Sequence, residues 1–222
     1  MKKIFVLSVL LALLLLRVSA HAQTAPAFKI GGNPGFESVL SSNTNIGNWY
    51  GTNGANGGFR YATAEMTGSY VGVVASYGYT NEQYLSIDML ADDINVVGSL
   101  TFDYRPKLFT PYSVQGTSPS GGFVAVTAYD AGGVLITSAI STEAVKWMLF
   151  GYYINVSHQI EYFNSAAAVN TTYTTTLDLK NMVVSVLNTG KAWSDVNKVR
   201  VTFSAESLFS SNPAKYYVDN FR

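Results

Sequence analysis

Five side chains have types and settings suited to holding a ligand: Tyr84, Asp103, Arg105, Tyr129 and Trp147. Flat rings cover the apolar faces of a pyranose, while a carboxylate and a guanidinium satisfy its hydroxyls. A ring carried on a strand also loses little entropy on binding. Each residue has a plainer reading beside that one. Tyrosine is favoured in any strand, and Asp103 with Arg105 can form an ordinary surface ion pair. Trp147, with Tyr152 and Tyr153, fills a core as readily as it walls a cleft.

Bond-breaking chemistry has less to work with. Beyond the first residues the one histidine is His158, so histidine-rich metal sites and His-dependent triads lack their parts. Asp92-Asp93 reads as a turn and forms no recognisable glycosidase pair. A tyrosine-dependent polysaccharide lyase stays open, since such enzymes also use sandwich scaffolds. The glycines read as turn residues, with no phosphate-cradling loop among them. Asn155-Val156-Ser157 and Asn170-Thr171-Thr172 match glycosylation acceptors, which carry no weight behind a bacterial-looking leader.

That leader is "MKKIFVLSVLLALLLLRVSAHAQ". Lys2 and Lys3 precede an apolar run from Ile4 to Leu16, and Ala20-His21-Ala22 supplies a small-x-small cleavage site. The run is too short to span a bilayer, which takes about twenty apolar residues. The expectation is a signal peptide over 1–22 and a secreted, periplasmic or cell-surface mature chain. Its removal lowers the 14 basic residues to 11, against 14 acidic ones. Such a balance, with no basic cluster, offers nothing general to nucleic acid or anionic lipid. The absence of cysteine excludes disulfide staples and thiol catalysis.

Short runs of period-two alternation must position the candidate residues. "YVGVVASYG", "EQYLSIDML", "VGSLTFDYRP" and "GGFVAVTAYD" read as strands, and the last turns through Ala131-Gly132-Gly133 into "VLITSAI". "YTTTLDLKN", "NMVVSVLN", "NKVRVTFSAE" and "KYYVDNFR" follow. Two stretches break the rhythm: "KLFTPYSVQGTSPSGG", read as a long loop, and the aromatic-rich residues 141–170. About eight to ten strands at this spacing predict an all-β antiparallel sandwich, one domain over 23–222. Alternation sends Leu85, Ile87 and Met89 to the core and Tyr84, Ser86 and Asp88 outward. By the same rule Leu100, Phe102, Tyr104, Val124, Val126 and Ala128 point inward. Thr101, Asp103, Arg105, Phe123, Thr127 and Tyr129 point outward.

The two ends of the mature chain carry a family resemblance. Asn33, Gly35, Phe36 and Glu37, then Trp49, and at the far end Tyr217, Val218, Asp219 and Asn220 resemble the anchors of carbohydrate-binding modules of families 4 and 9. These belong to the galactose-binding-domain-like jelly rolls. The resemblance implies that the first and last strands lie close together around a structural calcium ion, with Glu37 and Asp219 as carboxylate ligands. Calcium takes six to eight oxygen ligands, and an ion joining the ends would restrict a long loop. It also implies a glycan or polysaccharide as partner. The leading expectation is therefore an exported, non-catalytic carbohydrate-binding protein. A structural or adhesive surface protein is the alternative, and a polysaccharide lyase or glycosidase a further one.

Overall fold

In the strand Leu100–Leu108, buried and partly exposed side chains alternate along the chain, and that pattern repeats through a two-layered molecule. The computed structural model describes residues 49–51, 60–66, 68–76, 82–109, 120–137, 146–151, 160–162, 166–207 and 213–222. The leader, Phe36, Glu37, Tyr152, Tyr153 and His158 lie outside these residues.

Eleven strands are present among the described residues: β1 (Trp49–Gly51), β2 (Arg60–Ala62), β3 (Tyr70–Ser76), β4 (Glu82–Leu90), β5 (Leu100–Leu108), β6 (Ser120–Tyr129), β7 (Lys146–Gly151), β8 (Ile160–Tyr162), β9 (Tyr173–Leu177), β10 (Lys198–Ser207) and β11 (Ala214–Asp219). The longer ones form two antiparallel four-stranded sheets, a β-sandwich of the jelly-roll kind. The first sheet runs β7-β6-β10-β4 and the second β3-β11-β5-β9. Three-residue strands flank them: β1 on β4, β2 on β3, and β8 parallel to β7. The layers are joined where the first two residues of β4 pair with β3, before Tyr84 onward pairs with β10.

Aromatic rings fill the space between the layers. Phe102 meets Phe203 edge-on at 4.9 Å, and Phe150 meets Tyr216 at 5.2 Å. Two buried hydroxyls tie one layer to the other. Tyr104 Oη donates to the Leu149 carbonyl at 3.0 Å, and Tyr216 Oη lies 3.1 and 3.2 Å from the carbonyls of Phe123 and Ser204. Burial drives the Tyr216 hydroxyl well above the usual tyrosine range, so it stays a proton donor. Tyr216→Phe is expected to cost about 1–3 kcal/mol in denaturant unfolding, because it removes a buried donor shared by the Phe123 and Ser204 carbonyls. Trp49 of β1 packs on Phe221, just beyond β11, at 4.7 Å. The earliest described strand and the chain's last residues therefore touch across the core.

Several sequence expectations are corrected here. "NMVVSVLN" is not a strand but most of the helix α2 (Leu179–Val186), after α1 (Ala91–Val97). Asp178 caps α2 by accepting from the Asn181 amide at 3.1 Å. Leu179, Met182, Val183 and Val186 are its buried residues, a spacing of helical rather than strand period. Asp92 and Asp93 occupy the first turn of α1 instead of a loop. The irregular segment contributes β7 and β8, and Gly121, Gly122 and Gly151 lie within strands at a register shift rather than in turns.

Candidate functional site

The inner residues of β4, β6 and β10, among them Ile87, Val126 and Val201, belong to the core. The residues between them therefore share the outer face of the first sheet. Register arranges them in four rows across the three strands. Tyr84, Ser204 and Phe123 form the first, and Ser86, Thr202 and Ala125 the second. Asp88, Arg200 and Thr127 form the third, and Leu90, Lys198 and Tyr129 the fourth. First and fourth rows are six residues apart, about 20 Å along the strands.

The charges gather in the lower two rows. Arg200 grips Asp88 with both arms, Nε at 2.7 Å and Nη2 at 3.0 Å, and Lys198 Nζ reaches the same carboxylate at 3.0 Å. Lys198 Nζ and the Arg200 guanidinium also lie 4.7 and 5.6 Å from the Tyr129 ring centre. Burial works to raise the Asp88 carboxyl, but the hydrogen bonds from Arg200 and Lys198 outweigh it and hold it below the ordinary aspartate value. A lowered folded value means stabilisation that is complete above about pH 4 and is lost as pH falls through the folded value. Asp88→Asn is thus expected to show a flatter decline of melting temperature on the acid side than the natural chain. Parallel curves would remove Asp88 from that decline.

Beside the ion pair lies an unsatisfied group. The Thr127 hydroxyl is buried, at 3% residue exposure, and has no hydrogen-bond partner among the described residues. Leaving such a group unpaired is costly. Ser86 and Thr202 hydroxyls, one row away, satisfy each other at 2.9 Å. Tyr84 is 39% exposed at the far end of the face.

The five residues singled out from the sequence fall in three places. Tyr84 and Tyr129 share the outer face of the first sheet. Asp103 and Arg105 lie on β5, on the outer face of the second sheet. There Asp103 accepts from Thr174 Oγ1 at 2.6 Å and Asn220 Nδ2 at 2.8 Å, while Arg105 turns to Glu65, at 3.2 Å, rather than to Asp103. Trp147 faces inward at 3% exposure and belongs to the core, which corrects its reading as a cleft wall. Asp88, Thr127, Lys198 and Arg200 were not chosen from the sequence. Alternation in "NKVRVTFSAE" would have set Lys198 and Arg200 on one face, had the strand been read face by face.

Asp219, the second expected calcium ligand, is buried at the end of β11, opposite Asp103. Its Oδ1 accepts from the Asn220 amide at 2.7 Å. Asp103 is taken up by donors from Thr174, Asn220 and Arg222, and no group of three or more acidic, histidine or cysteine side chains is placed for a metal among the described residues. The ion implied by the family resemblance therefore hangs on Glu37, which lies outside them.

No family model matches the chain, and no curated protein matches it. Solved structures do overlay on it loosely. The enzymatically active domain of bacteriophage CBA120 tailspike protein 4 does so with a TM-score of 0.38 at 10% identity, over 82% of this chain and 20% of that one. The chain thus spans about a fifth of the tailspike domain. The family 11 carbohydrate-binding module of a Clostridium thermocellum cellulosomal cellulase gives 0.38 at 12% identity, over 85% and 89% of the two chains. A xylan-binding CBM22-1 domain from Paenibacillus barcinonensis gives 0.35 at 13% identity, over 84% and 88%. These modules are of families 11 and 22, whereas the chain ends resemble families 4 and 9. Overlaps this loose leave function to be read from the face itself.

Proposed function

We propose that this chain is an exported, non-catalytic carbohydrate-binding protein that takes a glycan along the outer face of the first sheet. One observation carries the reading: two tyrosines and a gripped Asp88–Arg200 pair lie on the outer face of a single sheet. Tyr84 offers a ring to stack on a sugar at one end. At the other, Arg200, Lys198 and Asp88 present donors and acceptors already held in place, so little order is lost on binding. The charged groups of Asp88, Lys198 and Arg200 suit hydroxyl-rich glycans better than the apolar contacts of an adhesive protein.

Affinity electrophoresis against soluble polysaccharides tests the proposal. Retardation by at least one polymer is expected; no retardation by any, with the fold intact, would end it. New reducing ends or ultraviolet absorbance released from those polymers would replace it with the glycosidase or lyase reading. Export belongs to the same proposal, and a secreted chain beginning at Gln23 is its signature. A calcium ion held by Glu37 and Asp219 is proposed with it. Chelator should then lower the melting temperature, and an unchanged value would remove the ion.

A further inference from the structure

The outer face of the second sheet carries a concentration of positive charge that the glycan face does not use. Arg105 and Lys107 alternate along β5, and Lys215 lies on the neighbouring β11. Between them Tyr217 forms a buried floor with Val71 and Val73. Lys107 Nζ and Lys215 Nζ are 5.5 and 5.4 Å from the centre of this one ring. Among the described residues, Glu65 is the carboxylate that meets this group. Its Oε2 is shared by Lys107 and by Arg105 Nε, and its backbone carbonyl accepts from Arg105 Nη1 at 3.1 Å. Asp103 and Asp219 share the face further along, but Asp103 is engaged by Thr174, Asn220 and Arg222, and Asp219 by the Asn220 amide.

Three cations stand around one carboxylate, and at Lys215 their mutual repulsion adds to the larger effect of burial. Burial, and then the charge of Lys107, depress its ammonium below the usual lysine range despite the opposing pull of Glu65. Glu65 enters from the turn before β3, and its side chain is 37% exposed, so solvent reaches the place where it sits. It occupies the position an incoming anion would take.

We propose that Arg105, Lys107 and Lys215 above Tyr217 form an oxyanion subsite, for a carboxylate or sulfate group, in which Glu65 stands as an internal competitor. The subsite is separate from the glycan face and does not depend on it. An anion arriving there displaces or joins Glu65, spreads its charge over all three cations and stays above the ring floor. The group can come from an acidic polysaccharide or from a free ion, since the chemistry that recognises it is the same.

Lysine side-chain NMR on the whole protein tests this, with sodium sulfate exchanged for sodium chloride at constant ionic strength. The Lys215 resonances are expected to shift saturably, and its titration to move upward as sulfate fills the site. Glu65→Gln should tighten sulfate by about fivefold and Lys107→Met should weaken it by about as much, the size of one partly screened charge contact. A sulfated dextran that produces the same shift identifies a polymer source, and inorganic sulfate acting alone identifies a free ion. Either result supports the subsite. A linear response equal in natural chain and Glu65→Gln would overturn it, as would the absence of any shift, and both can be read whatever happens on the glycan face.

Discussion

Gly151→Ala is expected to destabilise the protein by about 3 kcal/mol or more, a loss large enough to threaten a domain of ordinary stability. Gly151 ends β7 with φ at +86°, a conformation that penalises any side chain. Space is lacking as well. A Cβ there would press into the Ser120 carbonyl oxygen and lie 2.6 Å from Gly121 Cα. Both are backbone atoms of β6, which is held by β10 on its other side, so neither can swing away. Gly133→Ala supplies the comparison. Its φ is +78°, but nothing lies within 4 Å of the added carbon, so only the backbone strain remains, about 1–2 kcal/mol. Equal losses in the two variants, measured by denaturant unfolding, would show that crowding at Gly151 contributes nothing. The position matters to the face because the register shift between Gly122 and Phe123 occurs here. It pairs Met148 with Phe123 and Phe150 with Gly122. Phe150 thereby turns inward against Tyr104 and Tyr216.

Arg200→Ala should weaken glycan binding by about thirtyfold, the loss of roughly 2 kcal/mol typical of a central charged anchor. The substitution removes a planar donor set and leaves Asp88 with Lys198 as its remaining described cation. Arg200→Lys keeps the charge but loses the two-armed grip, and an intermediate loss is expected. Asp103→Asn, on the opposite face, should leave glycan binding unchanged. If Asp103→Asn weakens retardation as much as Arg200→Ala, the first sheet is not the binding surface. Circular dichroism melts of each variant separate loss of binding from loss of fold.

Much of this architecture was legible in the order of residues. Leu85, Ile87 and Met89 point inward as their spacing requires, and so do Val124, Val126 and Ala128. Tyr84 and Tyr129 point away from the core for the same reason. The helical character of α2 is also written in the sequence. Asp178 is a recognised cap residue, and the four buried positions that follow it keep helical period. β-branched Val183, Val184 and Val186 masked that signal by their strand propensity.

Alternation of side chains along an extended backbone is a local property, so the chain alone determines which residues face out of a sheet and which face in. It does not determine which sheet a strand joins. That depends on pairing between distant segments, as when Arg200 meets Asp88 across 112 positions. Asp103 and Tyr84 were equally outward by sequence, yet hydrogen bonding placed β5 beside β11 and β4 beside β10, and so put them on opposite sides of the sandwich. The tertiary structure alone assembled Asp88, Arg200, Lys198 and Thr127 into one face, because antiparallel register is a relation between strands and is written in neither of them.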